Sequence, residues 1–282
     1  MQTIQRINPC EEIKLAPPGG WRARLLRFLN QNGRWVVLFS LLLAVALWDT
    51  VARLLNLPAF ILPRPLQVAE RLARALQDGS LIRHSAFTLL EVLLGLFAGS
   101  LTATVLGYFL ARFHFLDRLL SPYLVASQAI PVVAIAPLLV IWFGSGIFSK
   151  ILICSLIVFF PVLVNTVVGL RAVPENLRDL MRSLRATPWQ MLRYLELPAA
   201  LPVLLGGLRI GATLSVIGAV VGEFVGSDIG LGFLVNVARG QYDTALVFVA
   251  VFTLIAMALS LYGLVILLEK RLLAWQKCSG GF

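Results

Sequence analysis

The chain has 282 residues, 59% of them hydrophobic and 13% charged, with a mean hydropathy of +0.88 and a formal net charge of +10. Soluble globular proteins carry about 25% charged residues, so an ordinary soluble domain is excluded and an integral membrane protein is the starting class. Cys10, Cys154 and Cys278 lie far apart without disulfide or metal spacing, and His84 and His114 lack the paired spacing of a zinc site.

Residues 1–34 hold Arg6, Lys14, Arg22, Arg24, Arg27 and Arg34, and Pro17-Pro18-Gly19-Gly20 breaks regular structure early. The expectation is a flexible tail followed by a short basic interfacial helix around 21–31; the simpler alternative is a solvated tail. The tail stays polar for too long before its first apolar run to be a cleavable secretory signal. Six apolar runs follow, at roughly 35–53, 86–111, 122–143, 148–170, 199–222 and 245–268, each near the ~20 residues that cross a hydrocarbon core. They do not alternate apolar with polar, so helices are expected rather than a barrel. Between the first two runs, Leu66, Val68, Ala69, Leu72, Ala73 and Leu76 recur at helical spacing and predict an amphipathic helix at 66–77 on the outer interface. With the amino terminus inside, the cytoplasmic segments carry sixteen Lys and Arg and the outer segments seven, five of them in the first outer loop. That bias predicts both termini in the cytoplasm.

Pro131 and Pro137 interrupt the third run and predict a broken helix, with Gln128 beside the break. A broken helix in lipid is tolerated where protein or a water-filled path satisfies the freed carbonyls. Gln128 is therefore either a path-lining residue or a hydrogen-bonded residue at a packing kink. Glycines 207 and 211, then 218, 222, 226 and 230, form a small-residue seam suited to close helix packing, a candidate for part of a two-subunit interface. Glu223 stands near the outer boundary, with Asp228 beyond it, as a gate or path carboxylate or as the first wet residue after the span. Glu91 is placed deeper without an evident partner. Arg209 is expected to pair with an acid or to extend toward the cytoplasmic surface.

The polar interruption from Arg171 to Pro198 organises the second half of the chain. Leu177, Leu180, Met181 and Leu184 recur at helical spacing, while Arg178, Arg182 and Arg185 share the other face. This predicts a short helix lying along the membrane surface, apolar toward the membrane and basic toward water. A second piece begins at Thr187, with Pro188 at its first position and Gln190 placed to complete a capping box. The stretch from Asp179 to Pro198 resembles the EAA loop of ATP-binding-cassette importer permeases. Asp179 takes the acidic position, Ala186 follows the glycine position, and Leu195-Glu196-Leu197-Pro198 closes the motif at the right distance. Leu180 and Met181 replace its two alanines, and Arg185 stands where glycine is usual, so the turn there must form without the permissive residue.

The resemblance covers about 80–270. Ile130-Pro131, Ala136-Pro137-Leu138, Trp142-Phe143-Gly144, Phe160-Pro161, Asn165-Thr166, Pro198-Ala199-Ala200-Leu201-Pro202 and Gly207-Leu208-Arg209 are similar to the nitrate, sulfonate and taurine branch. Val216 to Gly226, with Gly230-Leu231-Gly232, is most similar to members linked to riboflavin or a thiamine pyrimidine precursor. It implies an all-α, type I importer permease fold of about six transmembrane helices in the bacterial inner membrane. The implied organisation is a cytoplasmic tail (1–34), a first helix with its outer loop (35–79), a permease domain (80–270) containing the coupling loop 171–198, and a cytoplasmic tail (271–282). The implied partners are cytoplasmic ABC ATPase subunits, an extracytoplasmic solute-binding protein and a second permease subunit, as a homodimer, among membrane lipids and with no nucleic acid.

Asp179, Arg182, Arg185, Ala186, Thr187 and Pro188 are the expected ATPase-coupling contacts, and Gln128, Asn165 and Glu223 the candidates for the translocation path. No cofactor, metal site or catalytic residue is expected. The nearest approach to a Walker A loop, Gly144-Ser-Gly-Ile-Phe-Ser-Lys150, lacks the second glycine before Lys150. The expected function is the permease subunit of an ATP-driven importer for riboflavin or a thiamine pyrimidine precursor. Alternatives are a nitrate, bicarbonate or alkanesulfonate permease of the same family, an ion-coupled secondary transporter, and a membrane scaffold without transport.

Overall fold

The computed structural model describes residues 33–56 and 58–273. The interfacial helix expected around 21–31 and the carboxyl tail beyond 273 lie outside the described residues. The chain divides into two compact units, Met1–Leu57 and Pro58–Phe282. The first contains helix α1, Gly33–Leu54, where the first span was expected.

The second unit contains α2 (Pro65–Gln77), α3 (Ser80–Arg112), α4 (His114–Gln128), α5 (Val132–Phe143), α6 (Ile147–Arg171), α7 (Glu175–Ser183) and α8 (Pro188–Met191). A π-helical turn, Leu192–Glu196, carries α8 without a break into α9 (Leu197–Val225), and α10 (Leu231–Gly240) and α11 (Thr244–Leu272) complete it. Among the described residues every element is helical. Four helices among the described residues, α3, α6, α8–α9 and α11, are long and apolar enough to cross a membrane, and α4 with α5 brings the number to as many as five. That last pair is bent by 95°. Pro131 causes the bend, because it has no N–H to give and disfavours helical geometry at Ile130. Pro137, expected as a second break, lies inside α5 and does not end it.

The centre of the unit is α6, packed between α3 and α9. On α3, Gly95, Gly99, Ala103 and Gly107 repeat every fourth residue and are all buried. A Cβ on Gly99 would stand 2.6 Å from the Ser155 carbonyl oxygen, and one on Gly107 2.7 Å from the Thr166 side chain. From the opposite side, a Cβ on Gly207 would meet Asn165, one on Gly211 Val158, one on Gly218 the Cys154 backbone and one on Gly222 Lys150. The glycine seam of the fifth span therefore closes within one chain rather than between two. Four-residue spacing specifies close approach but not whose helix approaches. Val158 and Val162 on α6, with Ala103 and Leu110 on α3, fill the core where side chains replace glycine.

At one end of the bundle lie α2, α10 and the starts of α3, α6 and α11; at the other lie α7, α8 and the start of α9. The helix expected at 66–77 is α2. It buries Val68 and Ala75 and is tied to the start of α11 by Arg71 to Asp243 at 2.7 Å. Asp243 also caps α11 by accepting from the Leu246 N–H at 3.0 Å.

Replacing Gly99 or Gly218 by Ala should lower stability by about 1–3 kcal/mol each, because backbone must give way to the new methyl. Gly263, whose Cβ would meet nothing within 4 Å, should accept Ala without loss. Thermal unfolding in detergent checks this; equal midpoints for all three variants would contradict the packing.

Candidate functional site

Two clusters of polar side chains stand apart from the apolar core, one at each end of the bundle. At the α7 end, Val173 is buried and Pro174 precedes the first turn of α7, where Glu175 suits the positive end of the helix dipole. The helix ends in a Schellman motif: the Ala186 N–H donates to the Met181 carbonyl at 3.0 Å and the Arg185 N–H to the Arg182 carbonyl at 2.9 Å. Arg185 occupies the left-handed position with φ +55°, so the turn that usually takes glycine is made here by a side-chain-bearing residue. Thr187 then caps α8, its Oγ1 accepting from the Gln190 N–H at 3.3 Å while the Thr187 N–H donates to Gln190 Oε1 at 2.8 Å. With Pro188 opening the helix, this is the capping box expected from the sequence.

Of the three arginines expected on the water-facing side of α7, Arg182 and Arg185 are exposed and only Arg178 departs from the expectation. Leu177, Leu180 and Leu184 point away from the bundle, 40%, 56% and 69% exposed, and Trp189 follows at 67%. Arg178 instead turns inward. Its Nη2 donates to the Leu170 carbonyl at 2.7 Å, and its Nε lies 3.7 Å from Glu196 Oε1. Glu196, buried in the π-helical turn, also lies 3.8 Å from Arg112 Nη1 at the end of α3. Arg182 and Glu175 line the same cavity of about 300 Å³ beneath the helix, and Arg182 pairs with Asp179 at 2.8 Å. The reason is the enclosed carboxylate: a buried charge needs a cation, and Arg178 turns toward it. Nearby, Arg171 holds Asp117 at 2.7 Å and the Leu110 carbonyl at 3.3 Å, which ties α6 to α3 and α4.

Of the expected coupling residues, Asp179, Arg182, Arg185, Thr187 and Pro188 are exposed and lie together on this end, and Ala186 is half-buried in the turn. The expected path residues do not come together. Gln128 is exposed at the last position of α4, at the bend. Asn165 is half-buried, its Nδ2 bonded to the Pro161 carbonyl at 2.8 Å and its side chain against Gly207. Glu223 is 1% exposed at the α10 end, so it is neither wet nor open to a path in this conformation.

Glu223 instead fastens the chain after α9. Its Oε1 accepts from Thr88 Oγ1 at 2.6 Å and its Oε2 from the Gly232 N–H, while Thr88 Oγ1 accepts from the Leu231 N–H at 2.8 Å. The Gly230 N–H donates to His84 Nδ1 at 2.9 Å. Glu91 has its partner here in Lys150, at 3.5 Å, and Lys150 Nζ donates to Ser227 Oγ at 2.6 Å. Gly230 has φ +123° and a Cβ on it would collide with the Glu223 carboxyl, which explains the Gly-Leu-Gly that follows Glu223 in the sequence. Arg209, half-buried in α9, pairs with Glu269 on α11 and lies over the Tyr262 ring at 5.7 Å. Among the described residues no group of three or more His, Cys, Asp or Glu is placed to hold a metal ion.

Residues 95–274 match the family described as "Binding-protein-dependent transport system inner membrane component". The chain is 48% identical over 237 residues to the riboflavin transport system permease protein RibX of Chloroflexus aurantiacus, covering 84% of this chain and 88% of that one. It is 37% identical over 244 residues to the formylaminopyrimidine transport permease protein ThiX of Halalkalibacterium halodurans, covering 85% and 95%. In fold it is similar to a chain of the methionine ABC transporter MetNI in inward-facing conformations, with TM-score 0.61, 21% identity, and 70% and 97% of the two chains covered.

Replacing Arg185 by Gly should raise stability by up to about 1 kcal/mol, because glycine takes the left-handed position without a Cβ penalty. The midpoint of thermal unfolding checks it; a lowered midpoint would show that the Arg185 side chain contributes more to the fold than its backbone costs.

Proposed function

We propose, for a chain that belongs to the family of inner membrane components of binding-protein-dependent transport systems, that it imports riboflavin or a thiamine pyrimidine precursor and is driven through the loop between α6 and α9. The chain is a multi-pass permease subunit of an ABC importer with the all-α type I fold, and a partner subunit hydrolyses the ATP. The substrate reading is carried by the 48% identity to a riboflavin permease across most of both chains, and the pyrimidine-precursor permease supports the same vitamin-related class.

The coupling reading is supported by the exposure of α7 and α8 at one end of an otherwise apolar bundle. Leu180, Leu184 and Trp189 offer an apolar ridge, flanked by Asp179, Arg182 and Arg185, that suits a groove on a folded partner. In this reading the loop faces the cytoplasm, both termini are cytoplasmic, and a binding protein delivers solute at the α10 end; the excess of Lys and Arg on the loop side supports that orientation. An ATPase that binds the loop differently in its two states shifts the bundle between outward and inward access. A second copy of the chain completes the path, for which the 95° bend beside Gln128 is the candidate wall.

The substrate is tested by titrating the cognate extracytoplasmic binding protein with riboflavin, an aminopyrimidine, nitrate and an alkanesulfonate. Tight binding of riboflavin or the aminopyrimidine is expected, and tight binding of only an anion would contradict the assignment. For coupling, Arg185→Glu keeps a side chain at the strained position but reverses its charge. Uptake per ATP hydrolysed should fall about tenfold with the variant still in the membrane, and wild-type uptake would contradict the placement.

A further inference from the structure

We infer that Glu196 is the positioning residue that connects the coupling loop to the transport helices, a role that rests on the loop reading above. A helix that receives a push from a partner can move the bundle only through what joins it to the bundle. Two covalent joints hold α7, residues 172–174 before it and 184–187 after it, and both are turns. The side-chain joint between them is Arg178. Of the apolar side chains of α7 only Met181 is even half-buried, so apolar packing holds the helix weakly. Arg178 reaches the carbonyl of Leu170 at the end of α6 and the carboxylate of Glu196 at the root of α9. The same carboxylate oxygen faces Arg112 at the end of α3. One enclosed carboxyl group thus lies between the loop helix and two of the three packed spanning helices, and the peptide carbonyl beside it belongs to the third.

The geometry of that group suits a joint that moves. At 3.7 and 3.8 Å the two arginines are held by charge and not by tight hydrogen bonds, and Arg178 Nε has no hydrogen-bond partner. The cavity of about 300 Å³ beside them leaves room for a guanidinium to shift without breaking a packed surface. Glu196 itself sits in the π-helical turn, where the helix carries an extra residue per turn. A displacement of α7 therefore changes the balance between Arg178 and Arg112 on one carboxylate, which biases α9 and α3 together.

The test is uptake per ATP hydrolysed in the reconstituted transporter, with Glu196→Gln, Arg178→Gln and the double variant. Each single change should lower the ratio about tenfold with ATP hydrolysis continuing, and the double variant should lose no more than the larger single loss, because one interaction is removed twice. Glu196→Asp, which keeps the charge, should restore part of the ratio. A wild-type ratio in Glu196→Gln, or a double loss equal to the product of the two single losses, would overturn the inference. If Glu196→Gln does not reach the membrane, Arg178→Gln on the exposed helix decides alone: a wild-type ratio there also overturns it. Arg185→Glu measured in parallel separates the two levels. If it uncouples while Glu196→Gln does not, the loop reading stands and this inference falls; if it transports normally, the loop reading falls and takes this inference with it.

Discussion

The fold depends on the approach of α6 to its two neighbours. Helix contact in lipid gains little from hydrophobicity, since the alternative solvent is equally apolar, so it rests on dispersion and on how near the backbones can come. Gly95, Gly99 and Gly107 on one side, and Gly207, Gly211, Gly218 and Gly222 on the other, remove the side chains that would hold α6 away. The result is a three-helix block in which no helix can slide without bringing a backbone against a side chain.

Polar groups at both ends tie further elements to this block. At the α10 end, Glu223, Thr88, His84 and Lys150 fasten the chain from Ser227 to Gly232 onto α3 and α6. At the α7 end, Glu196, Arg112, Arg171 and Arg178 join the loop to α3, α6 and α9. Between them Arg209 and Glu269 link α9 to α11. Buried ion pairs are weak sources of stability, because desolvation offsets their attraction. They do fix which groups face each other, and that is what a mechanical linkage requires.

The parts of this arrangement governed by neighbours in the chain were legible in the sequence. Thr187, Pro188 and Gln190 announce the capping box, Leu66 to Leu76 announce α2, and Pro131 announces the break after α4. Arg185 in the glycine position of the loop foretells the strained turn, found as a positive φ. What depended on distant partners was not legible. Glu91 looked alone because Lys150 is on another helix, and Glu223 looked wet because Thr88 and Gly232 enclose it only after folding. The inward turn of Arg178 was not legible for the same reason: periodicity groups it with Arg182 and Arg185, and only the buried Glu196, on the far side of a turn, draws it toward the bundle.

The central claim is that the ridge of Leu180, Leu184 and Trp189 is a cytoplasmic handle gripped by the ATPase. The direct measurement uses Leu184→Cys in a chain carrying Cys10→Ser and Cys278→Ser, with Cys154 retained because it is fully buried. A membrane-impermeant thiol reagent should label this residue in inverted vesicles only, and assembly with the ATPase subunit should block the labelling. Labelling from the outer face of sealed right-side-out vesicles, or labelling unchanged by the ATPase, would contradict the account.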